Sequence, residues 1–437
     1  MLYMMNPKVK EEYKRKLTTV EEAAKIVKSG DWVDFGFGAG MPAALMNAVA
    51  DRRGELKNVN LRDTLWLPPS DKFVSEEGQK VFTVNSWFLT PRTRKAVNEG
   101  TGTTYPEYFN EIPGYYTRYL ENDVFMVSVS PMDDHGYFSF GTAVTYHRAA
   151  ADKSKKVVVE VNENQPYIYG DTFIHISDVD MIVENHSPLP VIPAPPLTPE
   201  DEIIGNTIAE LIEDGSTVQL GIGGMPNAVG YALKTKHDLG IHTEMFVDAM
   251  IELIEAGVIT GKRKSIHKER VIGTFAGGSA KLYEYLGRNP MFESYPVSHT
   301  NDPFVIAQNY RMVAINATAE VDLGGQCASE AVGPYILSGT GGQMDFCRGA
   351  YKSEGGKSFI CLHSTAKKGT VSKIVPHLTK GAVVTTPRAE VQYIVTEYGV
   401  AMLKAKTLKE RANELIAIAH PDFRSELRAE ARKLNLI

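Results

Sequence analysis

The sequence predicts an α/β protein made of two similar open domains, each with a mainly parallel sheet. Short β-branched runs at residues 124–129, 157–161 and 181–183 alternate with helical segments, which is typical of parallel sheets. The order helix, glycine turn, strand, glycine-rich loop, Met-Pro and helix occurs twice, with Gly36 and Gly221 lying 185 residues apart. Residues 187–199 contain six prolines, which predicts an extended connector between the domains.

We therefore expect domains at residues 1–190 and 191–437. In the first domain, Thr18 and Thr19 with Glu21 and Glu22 form a plausible N-cap and acidic first turn of a helix. The strand that begins at Trp32 leads into the first glycine-rich loop, and further strands follow at the β-branched runs.

The second domain repeats this order and then extends it. A helix through residues 208–212 precedes a turn at 214–216 and a strand that reaches the second glycine-rich loop. Short apolar or β-branched runs predict strands at residues 270–274, 312–316, 359–362, 382–385 and 393–395. The charged tail, residues 408–434, is predicted to be helical with a break at His420-Pro421.

Composition and charge indicate a cytoplasmic globular protein. Of 437 residues, 43% are hydrophobic and 23% charged, and the net charge is −6, which argues against broad binding to nucleic acid or to a membrane surface. A local basic patch for a phosphorylated cofactor remains compatible with these values. The sequence has neither an apolar run of ~20 residues nor the apolar core of a signal peptide. Its three scattered cysteines predict neither a disulfide framework nor a zinc site.

The loop at residues 221–226 is the strongest candidate for a functional element. Gly221, Gly223 and Gly224 let the backbone turn sharply and expose its N–H groups, which suit a phosphate or an oxyanion. Pro226 favours the first turn of the following helix. About 20 residues later Glu244 is expected to end a second short strand, and parallel strands end at the same edge of a sheet. A donor-lined loop and a carboxylate would then face one crevice.

Two other interpretations of this loop compete. A dinucleotide-binding fingerprint would make the protein a nicotinamide-dependent oxidoreductase, but Pro226 stands where the third glycine is required. The loop could also be a tight turn without a ligand, and Glu244 a solvated surface carboxylate. The apolar residues after Glu244 argue instead for a buried strand end, where a carboxylate is available for covalent catalysis.

Several motifs together resemble the acetyl-CoA hydrolase/transferase group of family I coenzyme A-transferases. The likeness is closest to 4-hydroxybutyrate and butyryl-CoA:acetate CoA-transferases and covers essentially the whole chain. The motifs are Gly-Ile-Gly-Gly-Met-Pro-Asn-Ala-Val at 221–229, His-Thr-Glu-Met at 242–245, Gly-Thr-Gly-Gly-Gln-Met-Asp-Phe at 339–346, Val-Thr-Glu-Tyr-Gly at 395–399 and Ile-Ala-His-Pro-Asp-Phe at 418–423.

The resemblance implies a covalent mechanism at an active site between the two domains. Glu244 would attack the acyl-CoA thioester, form an acyl–glutamyl anhydride, and then carry CoA as a glutamyl thioester. Backbone donors for the transient oxyanions would come from Gly221, Ile222, Gly223, Gly224 and Met225. Residues Gly341, Gly342 and Gln343 would line the CoA channel, although a plain turn is the alternative there.

The remaining candidates have weaker grounds. Glu397 matches a second carboxylate of the family and is expected to orient substrate or to serve a structural role, with an ion-pair partner as the alternative. Asn301 and Asn316 are more simply explained as buried amides that satisfy their own backbone. Phe37 and Met41, in the first glycine-rich loop, are expected to shape the acyl pocket.

The family also implies what binds the protein. Acyl-CoA and a short-chain carboxylate are the expected substrates, with no tightly bound cofactor and no metal. The spacing of His135 and His186 matches no ligand pattern. A homodimer or homotetramer is expected. An acyl-CoA hydrolase that uses the same Glu and a non-catalytic acyl-CoA-binding protein remain alternatives, and the preferred acids, among acetate, propionate, butyrate and 4-hydroxybutyrate, are left open.

Overall fold

Helices and strands alternate along the chain, which confirms the predicted α/β class. The computed structural model describes residues 7–68, 71–221 and 223–437. Its helices are α1 (Pro7–Lys16), α2 (Val20–Ala24), α3 (Ala43–Asp51), α4 (Glu76–Gln79), α5 (Pro91–Asn98), α6 (Ile112–Arg118), α7 (His147–Lys153), α8 (Pro199–Glu210), α9 (Gly224–Ala232), α10 (Asp248–Glu255), α11 (Ala280–Leu286), α12 (Val297–Thr300), α13 (Pro303–Ala307), α14 (Gln343–Lys352), α15 (Leu408–Ala417) and α16 (Pro421–Lys433).

The strands are mostly short. They are β1 (Trp32–Phe37), β2 (Val59–Thr64), β3 (Phe82–Phe88), β4 (Thr103–Thr104), β5 (Asn122–Val129), β6 (Tyr137–Ser139), β7 (Ser154–Val161), β8 (Tyr169–Gly170), β9 (Phe173–His175), β10 (Met181–Glu184), β11 (Thr217–Gln219), β12 (Gly240–Ile241), β13 (Met245–Phe246), β14 (Val271–Gly273), β15 (Phe275–Ala276), β16 (Phe292–Ser294), β17 (Met312–Ala317), β18 (Glu320–Asp322), β19 (Cys327–Ala328), β20 (Ala331–Val332), β21 (Tyr335–Ile336), β22 (Lys357–Cys361), β23 (Thr365–Ala366), β24 (Val371–Ser372), β25 (Ile374–Val375), β26 (Tyr393–Thr396) and β27 (Gly399–Met402).

The chain divides into two compact units. The first comprises Met1–Ile192 and Ile272–Thr300, and the second Pro193–Val271 and Asn301–Ile437. The change at residue 192 lies two residues beyond the predicted end of the first domain, whereas residues 272–300 belong to the first unit. The proline-rich residues 187–198 form neither helix nor strand, because proline fixes φ and lacks the N–H that a ladder requires.

The first unit is built on a seven-stranded parallel sheet in the order β10-β7-β5-β1-β2-β3-β4. Helices α2 and α3 cover one face, where Ala23, Leu45, Val33 and Leu61 are fully buried in one apolar cluster. Each such aliphatic side chain contributes ~1.5–3 kcal/mol by leaving water. Helix α2 begins where the sequence predicts, since the hydroxyl of Thr19 accepts a hydrogen bond from the backbone N–H of Glu22.

The second unit is built on a six-stranded sheet in the order β12-β11-β17-β22-β26-β27, parallel except for the last pair. Ile360, Ile394, Leu415 and Leu427 lie in its main apolar cluster, which joins the sheet to α15 and α16. The order β26-β22-β17-β11-β12 repeats the order β10-β7-β5-β1-β2 of the first unit, which confirms that the two sheets are similar.

The predicted strand at residues 382–385 is wrong. These residues form no strand, and beside them only an isolated bridge joins Thr386 to Cys327. Val383 and Val384 are 42% and 44% exposed, so this β-branched run has no sheet face to cover, although its composition resembles a strand. None of the helices that the structure describes is long and apolar enough to cross a membrane.

Candidate active site

The parallel sheet of the second unit brings the predicted site residues to one edge. Strand β11 ends two residues before Gly221, the first residue of the glycine-rich loop, and β12 ends three residues before Glu244. The carboxylate therefore lies in the segment between β12 and β13 rather than at a strand end, where the sequence placed it. The hydroxyl of Thr243 donates to the carbonyl of Leu220 over 3.0 Å, which ties the segment carrying Glu244 to the start of the loop.

Among the described residues, two groups donate hydrogen bonds to the carboxylate of Glu244. The side-chain amide of Asn301 donates from Nδ2 to Oε2 over 2.8 Å, and the backbone N–H of Gly342 also donates to the carboxylate. The residue is partly buried. Burial raises the pKa of Glu244 to about 7, and the two hydrogen bonds act in the opposite direction because they favour the charged form. At neutral pH a substantial fraction is thus a carboxylate, more basic than an exposed one.

Asn301 contacts Glu244, which the sequence does not predict. The expectation that it satisfies its own backbone is wrong, because its Nδ2 binds Glu244 from 57 residues away. The side chain is fully buried, and its Oδ1 has no hydrogen-bond partner among the described residues. Among the described residues, the side chain of Asn316 has one polar contact, a 4.0 Å approach of its Nδ2 to the sulfur of Cys347. The sequence carries no pattern that separates these two asparagines.

Position 342 has no room for a side chain, which accounts for the glycine there. Its φ is −90°, which any residue can adopt, but a Cβ atom there would collide with Oε2 of Glu244 and Nδ2 of Asn301. Gly341, by contrast, has a φ of +58°, in the left-handed region that favours glycine. Gln343 begins α14 and is buried, and its Nε2 donates to the hydroxyl of Thr386 over 3.0 Å. The role of these three residues in lining a CoA channel stays a prediction.

The glycine-rich loop has the expected backbone but not the expected contact with Glu244. Gly223 has a φ of +124°, and α9 begins at Gly224, where a Cβ atom would collide with the carboxylate of Asp201. Within the part of the loop that the structure describes, no group donates to the carboxylate of Glu244. Ile222 lies outside the described residues. The donors that the structure describes at the carboxylate come from Asn301 and Gly342, so an oxyanion role for Gly221, Gly223, Gly224 and Met225 stays a prediction.

Glu397 lies at the same edge of the sheet as the segment that carries Glu244. It follows β26, and β22, β17 and β11 lie between β26 and β12 in the sheet. The backbone N–H of Ser364 donates to its Oε2 over 2.9 Å, and the hydroxyl of Ser364 donates to Oε1 over 2.5 Å. These contacts fix the carboxylate in place, and its predicted substrate-orienting or structural role remains open to test.

The first glycine-rich loop is packed within its own unit. Phe37 and Met41 are 3% and 2% exposed, and the ring centroid of Phe37 is 4.5 Å from that of Phe275. Their role in an acyl pocket stays a prediction. The backbone N–H of His135 bonds to Asp133 in a turn, and Nδ1 of His186 accepts from the backbone N–H of Glu163. No group of three His, Cys, Asp or Glu side chains is arranged for a metal in the described ranges.

Comparisons with known proteins place both halves of the chain in one family. Residues 3–193 match the acetyl-CoA hydrolase/transferase N-terminal domain, and residues 278–431 match the C-terminal domain. The solved structure of RipA from Yersinia pestis is 40% identical and superposes with a TM-score of 0.92, covering 98% of this chain and 100% of that chain.

Relatives of similar length are named as CoA-transferases. They are succinyl-CoA:cyclohexane-1-carboxylate CoA transferase of Geobacter metallireducens (47% identical, 98% of this chain and 97% of that protein), butyryl-CoA:acetate CoA-transferase of Anaerostipes caccae (44%, 98% and 98%) and 4-hydroxybutyrate coenzyme A transferase of Clostridium kluyveri (45%, 97% and 99%). The oxidoreductase interpretation of the glycine-rich loop is thereby excluded. The chain belongs to the acetyl-CoA hydrolase/transferase family, as one of its acyl-CoA:carboxylate CoA-transferases.

Proposed function

We propose that the protein moves CoA from a short-chain acyl-CoA, such as butyryl-CoA or 4-hydroxybutyryl-CoA, to a carboxylate such as acetate, with Glu244 as the covalent nucleophile. The names of the relatives support these substrates. The observation that carries the mechanism is the carboxylate of Glu244, which is desolvated enough to have a pKa of about 7 and is oriented by Asn301 and Gly342. Desolvation and orientation are what a carboxylate requires to attack a thioester.

The reaction proceeds in two symmetrical halves. Asn301 binds Oε2, so Oε1 of Glu244 attacks the thioester carbonyl carbon, the C–S bond breaks, and the CoA thiolate leaves an acyl–glutamyl anhydride. The thiolate then attacks the Glu244 carbonyl carbon, the bond from that carbon to the bridging oxygen breaks, and the first acid departs as a carboxylate. The acceptor acid repeats these steps in reverse and leaves as its CoA thioester.

The donors at Glu244 have a second role in this scheme. When the thiolate attacks the Glu244 carbonyl, negative charge develops on Oε2, to which Asn301 already donates, and the backbone N–H of Gly342 also donates to this carboxyl group. Fixed donors at a developing oxyanion lower a barrier by roughly 3 kcal/mol each. The charge on the substrate carbonyl requires other donors, and the glycine-rich loop is proposed to supply them.

Trapping the thioester tests the covalent role. The wild-type protein is incubated with butyryl-CoA, treated with borohydride, and digested with trypsin, which releases residues 237–262 as one peptide containing Glu244. We expect that peptide alone to show a carboxyl reduced to an alcohol, only after butyryl-CoA. Glu244→Gln should show neither the reduction nor transfer to acetate, whereas Glu255→Gln, in the same peptide, should retain both. Transfer by Glu244→Gln at the wild-type rate would refute the proposal.

The hydrolase alternative uses the same carboxylate and differs in whether water resolves the thioester. Release of CoA from butyryl-CoA without any acceptor acid would favour it, whereas dependence on acetate supports transfer. The predicted homo-oligomer, cytoplasmic location and lack of a tightly bound cofactor stay predictions.

A further inference from the structure

The loop that carries Gly342 must keep one conformation if its backbone N–H is to donate to Glu244. Residues 339–342 read Gly-Thr-Gly-Gly, so Thr340 is the one residue of the four with a side chain. Glycine has the greatest backbone freedom of all residues, and fixing it costs the most conformational entropy. A loop of this composition therefore requires contacts from other parts of the chain to hold a backbone donor on the carboxylate.

Glu330 supplies such contacts where the chain enters the loop. Its backbone carbonyl accepts from the N–H groups of Leu337 and Ser338, over 2.7 and 3.3 Å. Its carboxylate accepts from the hydroxyl of Thr340, with 2.9 Å between Oγ1 and Oε2. Hydrogen bonds to a charged group are about twice as strong as those between neutral groups. The one side chain of residues 339–342 is thus bound to the same residue as the two backbone groups before it.

Two buried threonines connect Glu330 with the other end of the loop. The hydroxyl of Thr385 accepts from the backbone N–H of Glu330 over 3.3 Å. The hydroxyl of Thr386 accepts from Nε2 of Gln343 over 3.0 Å. Both threonines are buried, and their backbone groups are hydrogen-bonded to those of Cys327. The residues on both sides of the loop are therefore attached to one buried segment.

We propose that Glu330 is a positioning residue for the reaction, which acts through Thr340 to keep the backbone N–H of Gly342 on the carboxylate of Glu244. The inference rests on the proposed function, because it assumes that Glu244 reacts with acyl-CoA. Among the described residues, the donors to Glu244 are Asn301 and Gly342, so Glu330 acts through the loop and not on the carboxylate itself. Without Glu330 the chemical steps stay the same, and one hydrogen bond to the carboxylate weakens.

The weakened hydrogen bond has a signature in the pH dependence of transfer. Burial raises the pKa of Glu244, and the hydrogen bond from Gly342 opposes this effect because it favours the charged form. Within the described chain no neighbouring charge contributes to this pKa. A displaced Gly342 would therefore raise the pKa further and move the acidic limb of the kcat/KM profile to higher pH. A general loss of folded protein would instead lower the rate at every pH and leave the limb in place.

The test breaks the hydrogen bond between Thr340 and Glu330 from each end. We expect Thr340→Val and Glu330→Ala each to move the acidic limb up by about 0.5–1 pH unit, because Gly342 is displaced and not removed. Both should lower kcat roughly 10-fold. The double variant should show no further shift, since the two residues act through one bond. Glu330→Gln retains an acceptor oxygen for Thr340 and cannot titrate, so it should restore the wild-type limb.

Thr260→Val is the matched control. The hydroxyl of Thr260 donates to Oδ1 of Asp238 over 2.9 Å, so this variant removes a similar hydrogen bond of the second unit whose partner lies outside the loop. Its acidic limb should stay where it is in the wild type. The inference is overturned by a wild-type limb in both Thr340→Val and Glu330→Ala, or by an equal shift in Thr260→Val. If Glu330→Ala does not fold, Thr340→Val decides, because it only exchanges a hydroxyl for a methyl group.

Failure of the proposed function is recognised separately, because the wild-type protein would then not transfer CoA to acetate. The pKa of Glu244 is in that case measured without substrate, by esterification with a diazo compound, which reacts with a protonated carboxyl group. Fragmentation of the tryptic peptide 237–262 locates the ester. The pH at which the yield at Glu244 falls by half should be higher in Thr340→Val than in the wild type, and an equal midpoint would overturn the inference whatever the reaction.

Discussion

At the scale of single residues, the environment of Glu244 balances two opposing effects. Partial burial disfavours the charged carboxylate, while the hydrogen bonds from Asn301 and Gly342 favour it, and burial is the larger effect. A nucleophile gains from this compromise, because a carboxylate with a raised pKa is more basic and still ionised in part at neutral pH. Asn301 is thus expected to tune how much of Glu244 is reactive at a given pH.

Asn301→Ala should shift the pH dependence of transfer upward. In the wild type we expect kcat/KM to decline below pH ~7, since protonation removes the nucleophile. Loss of a hydrogen bond to a charged group, about 1.5–3 kcal/mol, should raise the pKa of Glu244 by about one to two units. The acidic limb of the pH profile of kcat/KM should therefore move to higher pH by about the same one to two units. Asn316→Ala removes an amide that does not contact Glu244, so it should leave the acidic limb where it is in the wild type. An unshifted limb in Asn301→Ala would contradict the role of Asn301 in setting the pKa of Glu244.

Sequence reasoning could find Glu244 but not its partners, for a physical reason. Glu244, the proposed nucleophile, stands within a local motif, whereas Asn301 and Gly342 approach it from 57 and 98 residues further along the chain. In the 339–342 loop, one glycine is required for a left-handed φ and another because a Cβ atom would not fit. The atoms that pack against each glycine decide which reason applies. Gly341 belongs to the first kind and Gly342 to the second, and no local pattern distinguishes them.

At the scale of elements, the turn that begins α14 packs directly against the carboxylate of Glu244. Gly342 caps the helix and lies against Glu244 and Asn301, with no room for a side chain. The close approach places a backbone donor on the carboxylate of Glu244, and this donor does not depend on a side-chain rotamer. The element is therefore expected to be sensitive to a single methyl group.

Gly342→Ala should abolish most activity while the protein still folds. The added Cβ meets the flexible ends of two side chains rather than backbone, so Tm should change little. Displacing Glu244 and weakening the donor should lower kcat by about 100- to 1,000-fold. Gly54→Ala, whose Cβ would meet nothing within 4 Å, is the control. Activity within a few-fold of the wild type would show that the carboxylate is not held in this way.

Neighbouring strands β1 and β2 in the first unit carry two fully buried carboxylates, Asp34 and Asp63. Burial raises the pKa of Asp34 to about 6 and that of Asp63 to about 7. Tyr116 and Gly36 donate to Asp34, whereas Asp63 accepts only from Ser86, and its Oδ1 has no partner in the described chain. Asp63 is thus the less well compensated of the two.

Asp63→Asn should stabilise the protein at alkaline pH. A folded pKa of about 7, above the usual 3.8, means that the folded state binds more protons between these values. The stability that Asp63 contributes is therefore complete below pH ~4 and lost as pH rises through ~7. The variant should gain about 1–4 kcal/mol at pH 8 and little at pH 4, as measured by denaturant unfolding. Asp134→Asn, at an exposed position, is the control. A gain in the free energy of unfolding at pH 4 equal to that at pH 8 would show that the charge on buried Asp63 is not the cause.

At the scale of the whole molecule, the internal repeat predicts the fold better than it predicts the chemistry. The repeated order of segments correctly indicates two similar sheets, because apolar periodicity is a local property. The strand registers show which residues of the two units correspond. Trp32 of β1 pairs with Asn60 of β2, and in the second unit Thr217 of β11 pairs with Gly240 of β12. Glu244 lies four residues after Gly240, and the residue four after Asn60 is Thr64.

Thr64 occupies the position that corresponds to Glu244 but has no carboxylate. It is buried, and its hydroxyl lies 3.1 Å from that of Tyr146, which itself donates to the carbonyl of Gly36. The counterpart of Glu244 is therefore linked through Tyr146 to the first glycine-rich loop. The sequence shows that a glutamate is missing there, but only the pairing of the strands identifies the residue that replaces it.

This asymmetry predicts one covalent site per chain. At saturating butyryl-CoA, intact-mass measurement should show a single CoA adduct on each wild-type chain, because only Glu244 offers a carboxylate at the repeated position. Glu244→Gln should carry none, and Thr64→Val, which leaves Glu244 intact, should still carry one. Two adducts per chain, or an adduct on Glu244→Gln, would mean that a carboxylate elsewhere reacts. A single adduct, absent only when Glu244 is changed, requires the two units to have diverged into one that reacts with CoA and one that does not.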